Sequence, residues 1–149
     1  MGAEQTVKEL GITLPDPVQP MGSYVRWVQT GNLLFISGTG PGTETQRGRL
    51  GSTMSVEEGY AAAREVGLQI LSTAKAALGD LDRVTRVVKV LGMVNCTPDF
   101  EQQPQVINGC SDLFIEVFGD AGRHTRSAVG FVSLPGQIPV EIECTMEVR

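Results

Sequence analysis

The sequence predicts an α+β fold in which a single mixed β-sheet carries two helices packed on one face. Three observations lead there. Two stretches, beginning at Val56 and near Pro104, space their apolar residues by alternating threes and fours, the repeat of a helix with one buried side. Around them lie segments with the composition or period of strands, giving the order β-β-(β)-α-β-α-β-β. The length of 149 residues, with no internal repeat, suits a single domain spanning 1–149. A chain of that size buries roughly 70% of its unfolded surface. Two helices cover only one face of five or six strands, so the other face must meet water or another subunit. Residues 128–132 look apolar on both sides, which favours an oligomer.

Residues 6–10 read as a short helix stopped by Gly11. Pro15, Pro17 and Pro20 make 14–21 an extended connector, because proline fixes its own φ and restricts the residue before it. Strands at 24–29 and 33–37 are joined by Thr30-Gly31-Asn32, a short hairpin loop. The glycine-rich, polar stretch 38–51 is a loop with room for one more short strand around Leu50. Ser55-Val56-Glu57-Glu58 forms a capping box at a helix start. Behind it Val56, Tyr60, Ala63, Gly67, Ile70, Ala74 and Ala77 make a face of mostly small residues that lets the helix lie close to its cover, and Gly79 ends it.

Residues 84–94 are β-branched and apolar, a buried strand. The second helix opens near Pro104, shows Val106, Ile107, Cys110, Leu113, Phe114 and Val117 on one side, and closes at Gly119. A strand over 127–134 ends at Pro135. The last one alternates throughout: Val140, Ile142, Cys144, Met146 and Val148 against Glu141, Glu143, Thr145 and Glu147.

Composition narrows the function. Twelve basic against 17 acidic residues give a net charge of −5, which argues against nucleic acid or an anionic membrane as the main partner. Three widely spaced cysteines (Cys96, Cys110, Cys144) and a single histidine make neither a disulfide framework nor a zinc site. Neither an apolar leader nor a run of membrane-spanning length is present, so a reduced, cytoplasmic protein is expected.

Gly38-x-Gly40-x-Gly42 follows a strand, but Pro41 interrupts it and no helix opens directly after, so a structural turn is favoured over a phosphate loop. His124 sits in a polar loop and is read as solvated or hydrogen-bonded, and the cysteines as buried, inert thiols. Arg126 begins an otherwise apolar strand, where a guanidinium must find an anion. Two readings stand: an internal ion pair with Glu141 or Glu143, or a clamp for the carboxylate of a small ligand, since the planar fork donates two parallel bonds. Glu141 is equally open, because the polar face of an edge strand is usually just solvated.

Several segments resemble the reactive intermediate deaminase family, also called RidA or YjgF and formerly endoribonuclease L-PSP. They are Arg126-Ser127-x-Val129-x-x-x-x-Leu134-Pro135-x-x-x-x-Val140-Glu141-Ile142-Glu143, Tyr24-Val25 followed by Gly31-Asn32-Leu33-Leu34-Phe35-Ile36-Ser37-Gly38, and Asp99-Phe100 with Asn108. The resemblance covers roughly residues 20–148, leaving about 1–19 as an N-terminal extension. It departs from the family at Ala128, where cysteine is frequent, and at Gly130, where glutamate is common.

The resemblance implies a chorismate-mutase-like fold, homotrimers, and ligand pockets between neighbouring subunits. It implies that Arg126 binds the substrate carboxylate, that Glu141 holds or activates water, and that Tyr24, Ser37 and Asn108 line the pocket. The implied reaction is hydrolysis of an imine or enamine, such as 2-aminoacrylate, to a 2-keto acid and ammonia, with neither metal nor organic cofactor. The alternative is a trimer that binds small carboxylates without catalysis, as a regulator or chaperone; both need Arg126, and only the enzyme needs Glu141. A ribonuclease or translation inhibitor comes third, because the acidic balance and lone histidine suit RNA cleavage poorly.

Overall fold

The alternating segment near the C-terminus becomes the strand around which the sheet is built. The computed structural model describes residues 1–42 and 47–149. Its elements are α1 (Ala3–Glu9), β1 (Trp27–Thr30), β2 (Leu33–Thr39), α2 (Val56–Leu78), β3 (Val84–Asn95), α3 (Gln103–Phe118), β4 (Thr125–Phe131) and β5 (Val140–Val148). Short 3-10 turns at Leu81–Arg83, Gly119–Gly122 and Pro135–Gln137 lead into β3, β4 and β5. The sheet order is β1-β2-β5-β3-β4, with β3 and β4 parallel and the other neighbours antiparallel.

A parallel pair needs a crossover, here α3, which carries β4 to the outer side of β3. The inner side of β3 is then free for β5, which pairs with β2 on its other side. β5 is therefore an interior strand, not the edge strand that the sequence reading of Glu141 assumed. Its apolar set, Val140, Ile142, Cys144, Met146 and Val148, is buried under the helices as the alternation predicts.

Both long helices lie on that one face, and α1 packs at its end with Ala3 and Val7 in the core. The capping box forms in full: the Glu58 N–H donates to Ser55 Oγ at 3.1 Å, and the Ser55 N–H to Glu58 Oε2 at 2.8 Å. Gly79 caps the other end of α2 at φ 79°, donating its N–H to Lys75 O. The small face of α2 works as expected. A Cβ on Gly67 would press on Leu113 and Cys110 of α3, and one on Gly109 would collide with the backbone carbonyl of Tyr60.

Several elements differ from the sequence reading: α1 is Ala3–Glu9 rather than 6–10, and β2 runs on to Thr39. β1 begins at Trp27 rather than at 24, because the chain before it turns so that Arg26 reaches Gly38 O and Thr39 Oγ1. β4 runs from Thr125 to Phe131, since β3 offers no pairing partner beyond Asn95, which faces Phe131. Leu50 founds no strand: it makes isolated bridges to Met54 and Cys96. Residues 43–46 of the expected loop lie outside the described residues. Among the described residues no helix is long and apolar enough to cross a membrane.

The approach of α2 to α3 at Gly109 decides which of two opposing effects wins there. Alanine would gain about 1 kcal/mol of helix propensity, but its methyl has backbone, not a flexible side chain, in its way. Gly109→Ala is expected to destabilise the protein by about 1–3 kcal/mol, read from urea unfolding. A variant as stable as the native protein would refute the close approach.

Candidate functional site

The sequence-predicted residues fall into two clusters on opposite faces of the sheet. The first lies under the helices at the β4 edge. Asn108 and Ser111 are one turn apart on α3 and face the same strand. Arg126, half-buried on β4, donates from Nη1 to Asn108 Oδ1 at 2.8 Å and to Ser111 Oγ at 3.1 Å. Ser111 Oγ is also 2.9 Å from His124 Nε2, and His124 Nδ1 is 2.6 Å from Gly122 O. The His124 ring meets Phe114 edge-on, with centroids 6.0 Å apart. Burial, the largest influence on His124, holds its pKa below the ordinary value against the Gly122 bond.

The second cluster lies on the open face, where β1, β2 and β5 come together. Glu141 alternates with the buried residues of β5, so its carboxylate projects away from the helices and over Gly38, where a Cβ would meet its Oε1. Burial raises the Glu141 pKa, Glu143 raises it further, and Arg26 opposes both. Arg26 is pinned by bonds to Gly38 O at 3.1 Å and Thr39 Oγ1 at 2.7 Å, and its Nε is buried without a partner. Ser37 Oγ donates to Val25 O at 2.6 Å. The Met21 N–H donates to the Tyr24 hydroxyl at 3.4 Å, which with nearby Arg26 holds the phenol below its usual pKa.

Arg126 makes no internal ion pair with Glu141 or Glu143, and that reading is overturned. β3 stands between their strands, and the side chains leave opposite faces. Among the described residues the ion pairs are Arg64–Glu116, Lys75–Glu4 and Arg123–Asp120. The Arg126 charge thus rests on an amide and a hydroxyl, and both bonds come from one nitrogen. Tyr24, Ser37 and Glu141 share the open-face cluster, Asn108 and Arg126 share the other, and a single protomer does not join them.

Arg26, Ser111 and His124 are polar groups of these clusters to which the sequence reading gave no part in a site. Arg26 was open to the argument used for Arg126, a lone guanidinium between Val25 and Trp27. The Gly38-x-Gly40-x-Gly42 stretch is structural: Gly38 clears Glu141, and the Gly42 N–H donates to Glu65 Oε1 at 3.1 Å. A Cβ on Gly130, where the resembling family often has glutamate, would press on Cys96 Sγ and the Gln103 amide, so that one of these side chains would have to shift. Among the described residues no three of His, Cys, Asp and Glu converge to hold a metal ion.

The open face also carries Val28 (52% exposed), Phe35 (44%), Val129 (41%) and Phe131 (42%). A groove of about 300 Å³ runs between Val28, Phe35, Lys89, Leu91 and Glu143. One mixed sheet with two long helices on one side, a guanidinium at its edge and a desolvated glutamate on its bare face defines a chorismate-mutase-like α+β protein. The profile of the family described as "YjgF/chorismate mutase-like, putative endoribonuclease" matches residues 4–141, and the chain belongs to this family.

Among its relatives, protein TCP17 of Trypanosoma cruzi is 45% identical over 147 residues, which cover 96% of this chain and 92% of that protein. The crystal structure of Atu1372, a protein of unknown function from Agrobacterium tumefaciens, is 41% identical, covers 99% of this chain and 92% of its own, and superposes with a TM-score of 0.91. Escherichia coli TdcF with bound serine is 26% identical, covers 92% of this chain and 95% of its own, and has a TM-score of 0.61.

All three cysteines are free and buried, and burial pushes the thiols of Cys110 and Cys144 far above their ordinary pKa. Ellman's reagent is therefore expected to react slowly with the native protein and to release three equivalents on unfolding. One fast equivalent from the native state would reveal a reactive thiol.

Proposed function

We propose that the protein is a homotrimeric, cofactor-free hydrolase of imine and enamine intermediates of the 2-aminoacrylate type, yielding a 2-keto acid and ammonia. The observation that carries this reading is Arg126: a half-buried cation anchored through Nη1 to neutral groups, with no carboxylate of its own among the described residues. A guanidinium so held is suited to a small carboxylate from outside. TdcF, a family relative with serine bound, supports a ligand of amino-acid size.

The two clusters are complementary in what they lack. The Arg126 and Asn108 cluster can bind a carboxylate, but its one basic side chain, His124, has both ring nitrogens engaged by Ser111 and Gly122, whereas the Glu141 cluster offers a carboxylate base. The exposed Val28, Phe35, Val129 and Phe131 on the open face support its burial against another copy. In the proposed site Arg126 and Asn108 of one protomer face Glu141, Ser37 and Tyr24 of the next. Arg126 binds the substrate carboxylate and sets the C=N carbon near the glutamate.

Glu141, its pKa raised by burial, accepts a proton from the attacking water as the C–O bond forms. That proton passes to the nitrogen and gives a carbinolamine. The carbinolamine hydroxyl then gives up its own proton, relayed to the nitrogen, as the C=O forms, the C–N bond breaks and ammonia leaves. An enamine enters this sequence as its imine tautomer. Tyr24 and Ser37 line the pocket and orient the imine. The free, buried thiols support a reducing, cytoplasmic setting.

The decisive measurement is keto-acid formation from imines generated in situ, with each variant checked by light scattering and thermal melts. Arg126→Ala is expected to weaken substrate binding at least about tenfold, given that a charged hydrogen bond contributes about 1.5–3 kcal/mol. Arg126→Lys, which keeps the charge and loses the fork, should lose most of the activity too. Glu141→Gln should bind and turn over slowly. Mixing the unfolded Arg126→Ala and Glu141→Gln chains and refolding them together should restore turnover, because some interfaces then receive an intact residue from each side. A protein that scatters as a 16.0 kDa monomer, or an Arg126→Ala variant of native activity, would end this reading. Carboxylate binding without any keto-acid formation would select the non-catalytic binder.

A further inference from the structure

We propose that His124 is a positioning residue, acting through Ser111 to fix the Arg126 guanidinium in its carboxylate-binding orientation. The direction of every proton in this chain follows from chemistry. The Gly122 carbonyl has no proton to give, so the 2.6 Å contact requires hydrogen on Nδ1. A neutral ring protonated there presents a bare lone pair at Nε2, and the Ser111 hydroxyl, 2.9 Å away, donates to it. Having its proton directed at His124, Ser111 Oγ offers only lone pairs to Arg126 Nη1 at 3.1 Å. Asn108 Oδ1 is the second acceptor for the same nitrogen. The guanidinium is thereby held from one side.

The surroundings keep the ring in this state. From α3 it meets Ser111 and the edge of Phe114, both uncharged, and from the 3-10 turn the Gly122 carbonyl. Arg126, two residues further on in β4, is the charged group that acts on it, and disfavours a second cation. Cys110, which also feels Arg126, stays a neutral thiol because burial raises its pKa. Asp120 and Arg123 pair with each other at the surface. β3 accepts from Thr125 through Val88 O, and its Lys89, paired with Thr125, is not among the charges that act on the ring. An imidazolium would carry hydrogen on Nε2 and reverse the serine bond. Ser111 would then have to turn its own proton elsewhere, and Arg126 would lose a fixed acceptor. Acid should therefore weaken substrate binding at a pH below the ordinary histidine value.

This inference rests on the reading that Arg126 binds the carboxylate. His124 is the chain's single histidine, so ring-nitrogen NMR on the intact protein reports it alone. The spectrum at neutral pH should show Nδ1 protonated and Nε2 bare, and KM should rise in acid with the midpoint of that ring's titration. His124→Leu should raise KM by about tenfold, the loss of one of two anchors, with kcat nearly unchanged. Ser111→Ala should do the same, and the double variant should be no worse than either single one. His124→Gln, whose amide oxygen can accept from Ser111, should restore KM and abolish its rise in acid.

An Nε2-protonated ring, or a native KM in His124→Leu while Arg126→Ala is impaired, would overturn the positioning role and leave the carboxylate reading intact. Native activity in Arg126→Ala would overturn both.

Discussion

A strand that must bury one side and keep three glutamates off it stands at the centre of this sheet. β5 presents Val140, Ile142, Cys144, Met146 and Val148 to the helices and Glu141, Glu143 and Glu147 to the open face. A one-residue slip against β2 or β3 would bury carboxylates and expose the core, so the register is held from both sides. The faces of the neighbouring strands follow from it. Ile36 is opposite Cys144 and faces inward; Phe35 is opposite Thr145 and faces outward. The position of Glu141 beside Gly38 and the bareness of Phe35 and Val129 are two results of one constraint.

Both candidate clusters hold a cation by neutral groups. Arg126 is tied to an amide and a hydroxyl, Arg26 to a carbonyl and a threonine. A carboxylate partner would hold each more strongly but would also neutralise it. Such anchoring fixes direction and leaves net charge for something else. For Arg126 that is the substrate carboxylate in the reading favoured above. Arg26 sits where its field reaches Glu141 and moderates the pKa rise that burial and Glu143 produce.

What was legible in the sequence was local. The ends of α2 are written in Ser55, Glu58 and Gly79, and the sides of β5 in its alternation, because caps and periods involve residues a few positions apart. Strand order was not legible. That β5 enters between β2 and β3 depends on which edge the α3 crossover leaves free, and no window of sequence contains it. Of the two readings of Arg126, the ion pair fails for this reason: adjacency in sequence order is not adjacency in the sheet, and β3 separates Arg126 from Glu141.

Its real partners, Asn108 and Ser111, are 18 and 15 residues away on a helix whose apolar face drew attention from its polar one. Arg126 is marked by its charge in an apolar strand, with Glu141 as a candidate partner, whereas Tyr24, Ser37 and Asn108 and the role of Glu141 toward water come from a family resemblance. The family itself is shown by the profile match and by TCP17. His124 escaped because a lone histidine in a polar loop carries no periodic signal.

The sealing of the three thiols bears on durability. The imine tautomers of the proposed substrates are electrophiles, open to attack by thiolates at the C=N carbon. An enzyme releasing and rebinding such compounds through every turnover would be its own first target if a cysteine were exposed and ionised. Here Cys96, Cys110 and Cys144 are all buried. Cys110 and Cys144 are also held in the unreactive protonated form by the same desolvation that packs them in the core. In the proposed function, the core's geometry itself blocks self-inactivation, without any dedicated protective group.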